Sequence, residues 1–468
     1  MTTYGISRRR FLQVAGAGAA GAALAGCTSG EQSVAPSPAS NVPTPTATFT
    51  QPTRKLSGDL KILLWSHFVP AHDKWFDPWV QEWGKQVGVN VTVDHINQAE
   101  IPARTAAEIQ AGQGHDLIQY IATFSQFEPS VVDMKDVVQE AEKRHGKMLD
   151  VVRKSSFNPN TNKYYAYAPA WAPDPGDYRK SMWEKVGLPN GPTTWDELLK
   201  GGAEIKKSQG IQMGIGMSQE IDSNMAGRAL LWSYGGSIQD ANEKVVINSP
   251  ETVAAVEFMT RLYKESMTPE VFSWNAASNN QGLVAGQMSY ILNSISAWRT
   301  AQGDNPSVAD DIQFVKALKG PKTALVAQHV MYNWIVPKFS PNVDAAKEFL
   351  LHYTANLPSV TYNSKLYDFP AFPKAVPELD GWLAKDPFGA NPPDKLSVLK
   401  DSLNWCTNIG HPGPASPAIG EVLYTFVIPN MYAKAARGEL SPQQSVADAE
   451  KQINRIFQNW RSRGLVAG

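Results

Sequence analysis

Cysteine is nearly absent: the 468 residues hold only two, Cys27 and Cys406. One pair at most could form, so a disulfide framework is excluded and the fold must rest on its core. An excess of either charge is also missing, with 43 Lys and Arg against 44 Asp and Glu, for a net charge of -1. Without a basic surplus to neutralise phosphates, nucleic acid is excluded as a partner. Beyond the N-terminus no run approaches the roughly 20 apolar residues of a membrane-spanning helix. A Walker-type phosphate loop and a Gly-x-Ser-x-Gly elbow are lacking too, which argues against ATP hydrolysis and an α/β-hydrolase site. The eight His include no helical metal pair; His67 and His72 stand five apart across Pro70, so neither a metal nor another cofactor is expected.

What is present starts at the N-terminus. Ser7-Arg8-Arg9-Arg10-Phe11-Leu12 precedes a short Gly/Ala-rich apolar run ending Leu24-Ala25-Gly26-Cys27. This reads as a twin-arginine export signal joined to a lipobox, spanning residues 1–27, with Cys27 as the lipidated first residue of the exported chain. Lipid there would leave Cys406 without a partner and provide the protein's membrane contact. Residues 28–57, rich in Ser, Thr, Pro and Ala, read as a disordered tether too poor in apolar side chains to fold. Roughly 410 residues remain, enough for two domains.

The globular part opens as α/β. Leu60-Lys61-Ile62-Leu63-Leu64-Trp65 predicts a buried strand, Trp75, Trp79 and Trp83 recur on one helix face, and Val89, Val91 and Val93 alternate as a second strand. Ile101 to Gln110 reads helical, Gly112-Gln113-Gly114 breaks it, and Asp116 to Ile121 is another strand. Ligands of open parallel sheets bind beyond the carboxyl ends of the strands. Ser66, His67, Phe68, Tyr120, Thr123 and Phe124 are therefore expected at a cleft. Thr194 to Glu197 forms a capping box, while Ser249-Pro250 and Ser441-Pro442 each open a helix.

Several segments carry a likeness to a known family: Asp177 to Leu188 leading to Pro192-Thr193-Thr194-Trp195-Asp196-Glu197-Leu198, Gly282 to Tyr290 followed by Asn293, and Trp334-Ile335-Val336-Pro337-Lys338 before Asp344 to Leu350. Their order resembles the extracellular solute-binding proteins of ABC importers, in the branch with maltose- and oligosaccharide-binding proteins. The resemblance implies a type II-like periplasmic-binding-protein fold of two α/β lobes: residues 58–167 plus 327–368, and 168–326 plus 369–468. It implies hinges at Ala168 to Pro173 and Phe369 to Pro373, where prolines interrupt regular structure. It further implies a monomeric binding protein, not an enzyme, exported and lipid-anchored on the outer face of the cell membrane, that hands a solute to ABC permease subunits.

Carbohydrate suits the residues at the expected cleft, since flat rings cover C–H faces and amides, carboxylates or His pair with hydroxyls. The candidates are Trp65, His67, Tyr120, Thr123, Phe124, Trp171, Asp174, Trp232, Trp274, Asn275, Asn333 and Trp334. Asn293 joins them from the segment where the family touches ligand. Arg179, Arg228 or Arg299 could instead hold a carboxylate or phosphate. A non-sugar solute such as a glycerol phosphoester, polyamine or peptide stays open, as does a secreted hydrolase.

Overall fold

The computed structural model describes residues 43–468; the export signal, Cys27 and the tether up to residue 42 lie outside the described residues. The expected strand, helix and strand are there as Gly58–Trp65, Ala71–Val87 and Val89–Ile96. The helix ends because Gly88 takes a left-handed conformation at φ 78°, which costs a residue without Cβ little. Close packing on the second strand needs Gly84, where a Cβ would come within 2.6 Å of Val91. The two strands run parallel, and Leu117–Tyr120 extends the sheet on the other side of the first. Asn333–Ile335 completes the four-stranded sheet as an antiparallel edge.

A second four-stranded sheet takes Ile312–Val315, Gly176–Arg179, Met288–Leu292 and Gln212–Gly214 in that order. Helices Trp195–Gln209 and Ile221–Tyr234 pack on it, and Pro250–Ser266 packs on both of these helices. Thr194 accepts from the Glu197 amide at 3.0 Å while Glu197 accepts from the Thr194 amide at 3.2 Å, so the predicted capping box is complete. Helix Pro442–Arg461 has one as well, between Ser441 and Gln444.

Between the sheets the chain crosses three times, and the crossings meet in a small sheet. Its strands are Val330–Met331, Ala170–Ala172 and Phe369–Pro370, with the middle one paired antiparallel to both neighbours. After the third crossing the chain ends in helices Val427–Ala436 and Pro442–Arg461, which pack on Pro250–Ser266.

The tether expectation fails for residues 43–57. This stretch follows helix Val343–Ala355 and bonds to its polar side chains. The Thr48 amide donates to Asn356 Oδ1 at 2.7 Å, Asn356 Nδ2 donates back to the Thr48 carbonyl at 2.9 Å, and Arg54 pairs with Asp344 at 2.6 Å. Leu56 is buried. Composition was a poor guide because the segment is held by backbone hydrogen bonds to a preformed helix rather than by apolar burial of its own.

Candidate functional site

A cavity of about 630 Å³ opens between the carboxyl end of the first sheet and the helices packed with the second. On the first-sheet side Phe68 follows strand Gly58–Trp65, Asn97 and Gln98 follow Val89–Ile96, and Tyr120 ends Leu117–Tyr120. Tyr120 is braced by Phe124 and Tyr424, with ring centroids 5.2 and 5.8 Å away. Across the cavity stand Glu220 and Asn224, then Trp274, Asn275 and Asn280, then Leu423, Tyr424 and Phe426. Phe426 holds φ 53° at the start of helix Val427–Ala436, a left-handed conformation that costs a bulky residue about 1–3 kcal/mol. The Tyr424 hydroxyl donates to the Thr123 carbonyl, linking the two sides at the cavity edge.

Glu220 caps helix Ile221–Tyr234, its carboxylate accepting from the Asp222 amide at 2.6 Å and from the Ser223 amide and hydroxyl. Burial, with the Asp222 charge beside it, pushes the Glu220 carboxyl up to about 8. Burial also raises Asp222, to about 6, against the pull of His329. Behind them His329 Nδ1 lies 2.9 Å from Asp174 Oδ1. Burial opposes protonation of His329, yet Asp174 and its hydrogen bond lift the imidazole above its ordinary value. The wall is thus acidic, with the Glu220 carboxyl held protonated near neutrality.

Of the residues expected at the cleft, the structure brings Phe68, Tyr120, Trp274 and Asn275 to the cavity. The other candidates do not line it. Trp65 is buried and stacks on His67 at 4.9 Å; His67 faces Asp368 and Tyr332. Thr123 donates to Ser125 Oγ at 2.8 Å, and Phe124 is fully buried. Trp171 packs on Phe369 in the small sheet, while Trp334 stands between Phe349 and Tyr353. Asn333 donates to the Ala122 carbonyl at 2.9 Å. Trp232 is buried against His411, and Asp174 is bound to His329. Trp232 lies on helix Ile221–Tyr234, while the rest sit on or beside strands covered on both faces, so a polar neighbour in sequence does not turn the ring toward solvent. Asn293 is one layer back, donating to Asn280 Oδ1, and so supports a lining residue.

None of the three arginines presents a free guanidinium. Arg179 pairs with Asp311 at 2.7 Å and Arg299 with Asp386 at 2.6 Å. Arg228 is buried, donating to Asn224 Oδ1 at 2.8 Å and to the Ile409 carbonyl at 3.2 Å. Sequence reasoning missed Asn97, Gln98, Glu220, Asn224, Asn280, Tyr424 and Phe426. Asn97 was within reach of the strand-end rule that found Tyr120. The rest come together only through tertiary packing.

Two α/β sheets joined by three crossings, with a cavity at the ends of the parallel strands, define a bilobal ligand-binding protein. The solved structure of the maltose-bound T. maritima MalE3 has this fold, with a TM-score of 0.70 at 19% identity over 85% of this chain and 100% of that one. So does a sugar transporter from Arthrobacter chlorophenolicus A6 with bound laminaribiose, TM-score 0.69 at 17% identity over 85% and 99%. Residues 79–390 match the model of the bacterial extracellular solute-binding proteins, and the chain belongs to that family of binding proteins. Among curated relatives, a Brucella abortus (strain 2308) binding protein is 30% identical over 99 residues, 21% of this chain; the chain spans only 24% of that protein's length. The arabinooligosaccharide-binding protein of Bacillus subtilis (strain 168) is 22% identical over 320 residues, 63% of this chain and 69% of its own.

Proposed function

We propose that this protein captures a short saccharide by closing two lobes, residues 58–167 plus 327–368 and 168–326 plus 369–468, and delivers it to ABC permease subunits. The observation that carries the reading is the cavity lining. Phe68, Tyr120, Trp274, Tyr424 and Phe426 supply ring faces, and Asn97, Gln98, Asn224, Asn275 and Asn280 supply donors and acceptors between them. The cavity's volume falls within the usual range for small-molecule sites, about 300–1,000 Å³. Structural relatives bound to maltose and laminaribiose support the same class of solute. In this reading the solute touches both sides and stabilises the closed form over the open one.

Export through the twin-arginine signal and lipid on Cys27 complete the proposal.

A panel of mono- and oligosaccharides, read by Trp fluorescence and thermal shift, tests the solute. The expected result is a saccharide that changes both signals without being converted to product. Product formation, or silence to every sugar beside a response to another solute class, overturns it. The carboxyls of Glu220 and Asp222 at one wall favour a second reading, an amine-bearing solute such as a polyamine, which belongs in the same panel.

A further inference from the structure

His67 and His72 do not share a helix face in sequence, yet the fold stacks their rings with centroids 4.4 Å apart and 20° between planes. His67 comes just after the first strand of the first sheet, and His72 lies in the opening turn of helix Ala71–Val87. Asp368 arrives from three hundred residues away, immediately before strand Phe369–Pro370 of the small sheet. One ligand atom from each of the three lies within 4.8 Å of the others, and all three side chains are buried.

The placement of protons separates this cluster from an ordinary polar contact. His72 Nδ1 lies 3.1 Å from Asp73 Oδ1, which can only accept, so the proton sits on Nδ1 and Nε2 of the neutral ring is a lone pair. That Nε2 has no hydrogen-bond partner among the described residues, nor has Asp368 Oδ2, and the two face each other across 3.9 Å. A lone pair and a carboxylate oxygen held face to face in a dry interior are both unsatisfied, and a cation between them would satisfy the two at once. His67 completes the cluster differently: its Nδ1 accepts from the Val69 amide at 2.9 Å, and its Nε2 lies 3.0 Å from Asp368 Oδ1 and 2.9 Å from the Tyr332 hydroxyl, so binding an ion at Nε2 moves the ring proton to Nδ1, where the Val69 carbonyl 3.1 Å away accepts it.

We propose that His67 Nε2, His72 Nε2 and the Asp368 carboxylate form a buried divalent metal site of the zinc type, with the Tyr332 oxygen beside them. Two imidazoles and a carboxylate are borderline donors that suit Zn²⁺ over Ca²⁺ or Mg²⁺. The charges of Asp73 and Asp368 match those of the ion. Asp73 has the outer role that orients a ligating imidazole, accepting from the nitrogen opposite the metal. Bond lengths of about 2.0–2.2 Å set donors in a tetrahedral site about 3.3–3.5 Å apart, and the 3.0 and 3.9 Å separations of Asp368 oxygens from His67 and His72 straddle that value. The site would pin the first sheet to the small sheet through which the chain crosses.

The test uses the full chain, stripped with chelator and titrated with Zn²⁺ against a competing chelator, with Co²⁺ as spectroscopic probe. One zinc per chain, tetrahedral Co²⁺ bands and a melting temperature raised by several degrees are expected, with no response to Ca²⁺ or Mg²⁺. His72→Gln, whose Nε2 makes no hydrogen bond here, should weaken zinc binding at least a hundredfold; Asp73→Asn should weaken it about tenfold. If His72→Gln does not fold, the near-isosteric Asp368→Asn decides by the same readout. Absence of stoichiometric zinc binding overturns the proposal, and so does zinc binding that survives loss of His72 or Asp368.

Discussion

The two walls of the cavity are built on different terms. On the first-sheet side Phe68, Asn97 and Tyr120 sit at, or one to three residues past, the end of a parallel strand. Their positions follow from backbone direction, and Tyr120, only 4% exposed, is as much core as site. The opposite wall collects a helix cap at Glu220, a loop from Trp274 to Asn280 and a strained turn at Phe426. Trp274 is only half-buried and Asn275 is exposed. One wall is therefore a by-product of folding, while the other carries the less buried Trp274 and Asn275, which can change without disturbing the core.

That contrast can be broken most directly at Tyr120. Tyr120→Ala should lower unfolding stability by about 3 kcal/mol through lost packing on Phe124 and Tyr424, as measured by denaturant melts; a loss below about 1 kcal/mol would erase the distinction. Trp274→Ala should weaken binding of the responsive solute at least tenfold, about 1.4 kcal/mol, while leaving the melt nearly unchanged. A large stability loss there would place Trp274 in the core instead.

A pH effect sharpens the second wall. The Glu220 carboxyl is raised from 4.5 to about 8 on folding, so its stabilising contribution is complete below pH 4.5 and lost as pH rises through 8. Asp222, raised from 3.8 to about 6, acts with the same sign over the lower part of that window. The melting temperature should fall across this range, and Glu220→Gln should flatten the slope. An unchanged slope in the variant would assign the dependence elsewhere. Smallest of all, Arg54→Ala removes an exposed ion pair to Asp344 and should cost no more than about 1 kcal/mol, with faster proteolysis before Gly58 as the sensitive readout.

The elements were legible where a local signal dictates them. Thr194 with Glu197 and Ser441 with Gln444 announced helix starts because capping is chemistry within four residues. The opening strand, helix and strand were legible because their apolar periods differ. Site residues were harder. Trp65, Trp171 and Trp334 each stand beside or near a polar residue, yet all three are 1% exposed or less, because strands sandwiched between layers bury both of their faces. Glu220, Tyr424 and Phe426 carry no shared pattern, being joined by packing across some two hundred residues of chain. Residues 43–57 looked incapable of order by composition, and their order is supplied by a helix three hundred positions away.

In the small sheet, Trp171 is paired in register with Met331 on one side and Phe369 on the other. A single linking strand could swing or twist about many axes. Three strands bonded edge to edge behave like the leaves of a piano hinge, resisting torsion and leaving one easy direction of rotation. A bend at any one crossing is transmitted through Trp171 to the other two, so capture and release would follow a single track, and the wall that meets the solute last would always be the same one.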